Sequence, residues 1–268
     1  MHKFAFFNTQ ILPAEDIFIP AFSSASLYGK GIFTTIAVCD GKPFLWEKHW
    51  RRLLAGSSKL NIDLSHFSEH FVRNSFGEII KENTLENGRA RITVFDGSAA
   101  SFWQVNNIQK TSLLITTADM REIHSSFKLN ISPYLTNTTS PLAGIKSCNY
   151  FERIAALNKA KESGFDEAVC LNERGDTTSA VMANLFWRKD GKLFTPSLKT
   201  GCVAGTTREY LLENEECVEV EHGLEMLHSA EAVFLTSAGI GIVPAEEIDG
   251  RKLNTGPDPI LDLLPRIK

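Results

Sequence analysis

"GIFTTIAVCDGKPFLW", residues 31–46, reads as strand, turn, strand. A β-branched, apolar run stops at Asp40-Gly41, the strongest short-range signal for a tight hairpin. Asp-Gly recurs at 96–97, 190–191 and 249–250, and several of these pairs again separate apolar runs. "ANLFWRKDGKLFTP", 183–196, repeats the pattern, with Leu185, Trp187, Leu193 and Thr195 alternating against their neighbours. The opening "MHKFAFFNTQILPAED" is apolar, but Asn8, Thr9 and Gln10 interrupt it, so it reads as a first strand rather than a signal peptide.

Helical spacing lies between these runs. "EKHWRRLLAGSSKL", 47–60, carries Trp50, Leu53 and Leu54 on one face, and "HFSEHFVRNSFGEIIKEN", 66–83, continues the pattern. "NYFERIAALNKAKESG", 149–164, gathers Phe151, Ile154, Ala155 and Asn158 on one side and stops at Gly164, a good residue for ending a helix. Residues 1–118 therefore read as a small α+β domain closed by "SLLITT", with the polar "ADMREIHSSF", 118–127, as connector. Residues 119–268 read as a larger mixed domain. A cleft between two domains is a natural place for a ligand.

Composition narrows the function. The 268 residues carry 43% hydrophobic and 22% charged side chains, the balance of a globular protein. A net charge of −4 gives no reason to expect nucleic acid or an anionic membrane as partner, so a bound anion needs a local set of donors. No stretch approaches the roughly 18 to 20 apolar residues of a membrane span. Five scattered cysteines without a Cys-x-x-Cys pair favour a reducing cytoplasm over disulfides or zinc.

Short motifs carry competing readings. "HFSEH", 66–70, has the order of a zinc site with its activating glutamate, but two histidines alone do not make one, and no metal is expected. "YGKGIF", 28–33, and "GIGIVP", 239–244, match neither phosphate-binding glycine fingerprint and read as turns. "GCVAGTTREYLLE", 201–213, opens a helix at about Arg208. There Thr206 and Thr207 beside free amides make either an anion site or a simple cap. "FLTSAG", 234–239, ends a strand in small donors. "SPLAGIKSCNY", 140–150, holds one lysine, Lys146, in a run with no other charge. Such a lysine is either a surface residue paired in the fold or an amine kept neutral to attack a carbonyl, since poor solvation disfavours its cation.

Taken in order, these segments resemble the class IV pyridoxal-phosphate enzymes, which include branched-chain and D-amino-acid aminotransferases and aminodeoxychorismate lyases. "LYGKGIFTTIAVCDGKPF" is similar to the family's opening strand and hairpin, and "HWRRLLAGSSKLNI" to its histidine-x-x-arginine-leucine helix. "GIKSCNY" is similar to the Schiff-base lysine segment, and "NLFWRKDGKLFTPSL" with "GCVAGTTR" to the hairpin and phosphate turn. "FLTSAGIGIVPAEEIDGRKL" is similar to the last strand pair. The resemblance implies a two-domain D-amino-acid aminotransferase-like fold (fold type IV) with pyridoxal 5'-phosphate in the interdomain cleft. It implies Lys146 as the Schiff-base lysine and Arg52 at the phosphate, joined by Gly205, Thr206 and Thr207 and by Thr236, Ser237 and Ala238. Tyr28 is placed on the substrate side, and a homodimer is implied for the assembly. A substrate with carboxylates calls for an arginine near the cofactor face, for which Arg91 is the candidate, with Arg89 two residues away on the same face of the strand.

The chain also departs from that family. Counting back five residues from Asn184 places Ser179 where the family carries a glutamate that keeps the pyridine nitrogen protonated. Thr34 likewise stands where a glutamate is usual, and Glu173, in the strand-turn segment, is an acid available to fill the gap at Ser179. A serine carries no charge to stabilise that proton, so the ring is a weaker electron sink. Transamination should suffer more than an elimination from the β-carbon. The branch most resembled is aminodeoxychorismate lyase, which converts 4-amino-4-deoxychorismate to 4-aminobenzoate and pyruvate for folate precursor synthesis. The alternatives are an aminotransferase for branched-chain or D-amino acids and a non-catalytic cofactor-binding homologue.

Overall fold

The computed structural model describes residues 1–99, 110–120 and 122–264. Its contacts divide the chain into two units. The first comprises the described residues of Met1–Arg121 together with Ile145–Asn149, and the second those of Glu122–Gly144 and Tyr150–Arg266. Arg121 of the sequence connector lies outside the described residues.

In the first unit the strands are β1 (Phe4–Phe7), β2 (Gln10–Pro13), β3 (Gly31–Cys39), β4 (Lys42–Pro43), β5 (Gly88–Asp96) and β6 (Thr111–Asp119). They form one sheet in the order β2-β1-β6-β5-β3-β4. Helices α1 (Ser24–Tyr28), α2 (Trp46–Lys59) and α3 (Glu69–Glu82) accompany it. Alternation along β3 turns Ile32, Ile36 and Val38 into the core, where they join Trp46, Trp50 and Leu53 of α2 and Phe76 and Ile79 of α3. Leu54, read from sequence as part of the buried face of α2, is 43% exposed. The opening segment is a hairpin of two short strands rather than one, because Asn8 takes a positive φ of 56° and reverses the chain.

The second unit holds β7 (Phe127–Ile131), β8 (Glu167–Leu171), β9 (Thr177–Ala180), β10 (Asn184–Lys189), β11 (Lys192–Pro196), β12 (Cys217–Val220), β13 (Ala232–Ser237), β14 (Gly241–Ile248) and β15 (Arg251–Lys252). Their order is β12-β11-β10-β13-β14-β7-β8-β9, with β15 paired to β14. Its helices are α4 (Phe151–Glu162), α5 (Thr206–Asn214) and α6 (Leu224–His228). Strand β10 is buried on both faces. Leu185 and Trp187 enter a core with Val233 and Leu235, while Phe186 meets Leu211 of α5 and Phe234 on the other side.

Three of the Asp-Gly pairs make the tight turns expected of them. Asp40-Gly41, Asp190-Gly191 and Asp249-Gly250 all have two positive φ values, the requirement of a type I′ hairpin. Asp96-Gly97 differs. The Asp96 carboxylate accepts the Ser98 amide at 3.0 Å and pairs with Lys30 at 3.0 Å, so it ends β5 without a two-residue turn. Helix α4 also departs from its apolar stripe. Phe151 is 79% exposed, and the residues it buries are Ala156 and Ala160, against Ala168, Cys170 and Val181. Small alanines let the helix approach β8 closely, which the larger Phe151 and Ile154 would prevent.

Candidate active site

Lys146 is positioned by the edge of β3. Its carbonyl accepts the Phe33 amide at 2.9 Å, and two residues later the Cys148 amide donates to the Gly31 carbonyl at 2.8 Å. Ser147 thereby bridges Ile32 in antiparallel fashion. This nonlocal pairing is why residues 145–149 group with the first unit although the chain on both sides belongs to the second. Gly31 permits the close approach, since a Cβ there would lie 2.9 Å from Phe95 Cβ and 3.0 Å from Cys148 Sγ.

The two faces of β3 carry different chemistry. On one, Lys146 Nζ lies 4.6 Å from the centroid of the Phe33 ring, and the Arg91 guanidinium lies 3.6 Å from the same ring. Arg91 Nε donates to Thr93 Oγ1 at 3.1 Å, which fixes its stem along β5. Burial pushes the Cys148 thiol up, opposed by the charge of Arg91. On the helix-covered face, Arg52 Nη2 donates to Thr34 Oγ1 at 2.5 Å, and Thr34 Oγ1 lies 2.6 Å from His49 Nδ1. A guanidinium cannot accept, so Thr34 Oγ1 is the acceptor of the Arg52 bond while it also shares a hydrogen bond with His49 Nδ1. Burial first, and the Arg52 charge second, hold the His49 pKa well below its ordinary value. Tyr28 ends α1 and is 44% exposed.

In the second unit the hydroxyl-bearing turns are drawn together by Asn184. It pairs with Thr236 across β10 and β13, and its Nδ2 donates to the Val203 carbonyl at 2.9 Å. Its Oδ1 occupies the space beside Gly205, where a Cβ would come within 2.0 Å. Gly205 is the N-cap of α5 and supplies no side-chain cap, so the helix begins at Thr206, two residues earlier than the sequence suggests. Thr206 and Thr207 thus lie in the first turn, beside amides that the helix leaves without internal partners. Thr236 is fully buried and its Oγ1 has no hydrogen-bond partner among the described residues. Ser237 Oγ accepts the Gly239 amide at 3.3 Å, and Ala238 lies in the turn between them.

Ser179 lies in β9, which is buried along its whole length. Arg153 Nη1, from the first turn of α4, donates to Ser179 Oγ at 3.2 Å. Glu173 is elsewhere, accepting the Thr138 amide at 3.0 Å at the surface. Glu167 is buried in β8, where Met182 and Ala168 amides donate to its carboxylate at 2.9 and 3.2 Å. Burial raises its pKa to about 7 in spite of those amides and the Arg153 charge. His66 precedes Ser68, the N-cap of α3, so His66 and His70 do not share one helix face. Phe33 and Arg153 escaped the sequence reading. Both act through tertiary contacts, and the only local signal was a cation in the opening turn of a helix, where acids are the rule.

The pattern for "Amino-transferase class IV" matches residues 31–248. The chain belongs to this family. It is 25% identical over 251 residues to the aminodeoxychorismate lyase of Bacillus subtilis, covering 90% of this chain and 85% of that protein. It is 24% identical over 259 residues to a D-alanine aminotransferase of Staphylococcus epidermidis, covering 94% and 91%. The branched-chain amino acid aminotransferase of T.th., solved in complex with N-(5'-phosphopyridoxyl)-L-glutamate, superposes with a TM-score of 0.87. The two are 20% identical, over 96% of this chain and 90% of that one. The fold-type IV architecture expected from the sequence is therefore found, and enzymes of this family use pyridoxal 5'-phosphate.

Proposed function

We propose that this protein is a pyridoxal-phosphate lyase that converts 4-amino-4-deoxychorismate to 4-aminobenzoate and pyruvate. The observation that carries the reading is Ser179. At the position where the family's acid would stand there is a hydroxyl bonded to a guanidinium, and the buried carboxylate of Glu167, on the neighbouring strand β8, is engaged by backbone amides. The likeness to a lyase of Bacillus subtilis points the same way.

The residues present fit the cofactor. Thr236 offers a buried hydroxyl without a partner among the described residues, and Gly205, lacking a Cβ, lets Asn184 Oδ1 lie against the start of α5. Thr206, Thr207, Thr236, Ser237 and the Ala238 amide would hold the phosphate as neutral donors, joined by Arg52, as at other backbone-lined anion sites. When bound, the cofactor supplies an aldehyde that condenses with amines and a π-system that accepts electrons from the adjacent carbon.

Lys146 has two tasks in this reading. It would hold the cofactor at rest, and its free amine would take the proton from the substrate carbon that bears the amino group. The electron pair left behind forms the aromatic ring as the neighbouring ether C–O bond breaks and enolpyruvate leaves. The enol then ketonises to pyruvate, so no oxidant is required. Arg91 pairs with a substrate carboxylate from the same face as Lys146, and Tyr28 borders the substrate. A cytoplasmic homodimer belongs to the same reading, in keeping with five free cysteines.

The test is pyruvate release from 4-amino-4-deoxychorismate by the cofactor-loaded protein, with Lys146→Ala as control. Release that disappears in the variant supports the lyase. Amino-group transfer from branched-chain or D-amino acids without such release would replace it by the aminotransferase reading, which the resemblance to a D-alanine aminotransferase favours. A loaded protein inactive in both assays would be a binding homologue.

A further inference from the structure

Arg153 reaches β9 from the first turn of α4. Its Nη1 donates to Ser179 Oγ at 3.2 Å and lies 3.5 Å from the carbonyl oxygens of Ala180 and Val181 and 3.6 Å from Cys170 Sγ. A guanidinium has five N–H donors and no acceptor. Ser179 is therefore the acceptor in this pair, and its own single proton has to be given to something else. Among the described residues no second hydrogen bond reaches Ser179 Oγ.

The groups around the pair offer no carboxylate to take that proton. On β8, Glu167 spends its oxygens on the Met182 and Ala168 amides, and Cys170 is a buried thiol whose ionisation burial opposes. On β9 itself, Thr178 donates to the Cys170 carbonyl at 3.1 Å, away from Ser179 by strand alternation. From the turn after β7, Ser132 hydrogen-bonds Cys170 rather than Ser179. Ser179 is 5% exposed, so water is a poor alternative.

We infer that Arg153 is a positioning residue that fixes the Ser179 hydroxyl as a donor to the ring nitrogen of bound pyridoxal 5'-phosphate, and so keeps that nitrogen unprotonated. The inference rests on the cofactor reading above, with Ser179 facing the ring nitrogen. Two effects act together. A hydroxyl that donates needs a lone pair on the nitrogen, and a guanidinium behind it disfavours a second positive charge nearby. A glutamate at the same place would do the opposite on both counts.

The protein is loaded with cofactor carrying nitrogen-15 in its ring, and the ring-nitrogen chemical shift is read by NMR near neutral pH without any substrate. The expected signal is that of an unprotonated pyridine. It should persist in Arg153→Lys, which keeps a cation that can donate. It should move to the protonated position in the Arg153→Met/Ser179→Glu double variant, which replaces the cation by a carboxylate. A protonated ring nitrogen in the wild-type protein overturns the inference, even if the double variant fails to fold. If the wild-type protein retains no cofactor on gel filtration and yields no borohydride-stable adduct on Lys146, the cofactor reading itself falls, and this inference with it. Retained cofactor with a protonated ring defeats the Arg153 inference alone.

Discussion

Phe33 holds Lys146 twice. Its amide donates to the Lys146 carbonyl at 2.9 Å, and its ring lies 4.6 Å from Lys146 Nζ. The backbone bond sets where the residue sits, and the ring sets where the amine lies. Both depend on residues 145–149 lying flat against β3, which Gly31 allows.

Gly31→Ala should therefore damage the lysine site from a distance. The new Cβ would press on Phe95, Cys148 and the Val94 carbonyl, and backbone cannot yield there at little cost. Overpacking of this kind costs about 1–3 kcal/mol. The expected result is a lowered denaturation midpoint together with a reduced yield of cofactor on Lys146. An unchanged yield would show that the β3 pairing is not what places the amine.

Thr236→Val separates stability from binding. The Thr236 hydroxyl is buried without a partner among the described residues, a desolvation cost of about 1–3 kcal/mol for the cofactor-free protein. Removing it should leave the apo-protein as stable as wild type or more so by denaturant titration. Affinity for pyridoxal 5'-phosphate should fall in the same variant. A destabilised apo-protein with unchanged affinity would mean that Thr236 is a packing residue only.

Glu167 predicts a pH dependence with a definite sign. Its folded pKa of about 7 stands above the ordinary 4.5, because burial outweighs the Met182, Ala168 and Val181 amides and Arg153. The folded state thus binds more protons than the unfolded one between these values. The contribution is fully present below about pH 4.5 and is lost as pH rises through about 7, a change on the order of 3 kcal/mol. Glu167→Gln should flatten this part of the stability profile. An identical slope in the variant would assign it to other groups.

The hairpins were legible because a type I′ turn is a local demand. Asp40-Gly41, Asp190-Gly191 and Asp249-Gly250 supply positive φ at two successive residues, whatever the rest of the chain does. The lysine segment was legible as chemistry but not as placement. Its attachment to β3 comes from bonds between residues more than a hundred positions apart, such as Phe33 to Lys146. Helix α4 misled because its apolar stripe and its buried face differ, close packing having selected Ala156 and Ala160 over Phe151 and Ile154. Arg153 was invisible for a related reason, since a cation in a helix's first turn gives no hint that it reaches a strand.

The central claim is that Lys146 holds pyridoxal 5'-phosphate, and borohydride reduction of the loaded protein followed by peptide mapping tests it most directly. The account predicts that the reduced cofactor is found on the peptide containing residues 144–150 and is absent in Lys146→Ala. A label on any other lysine would contradict it.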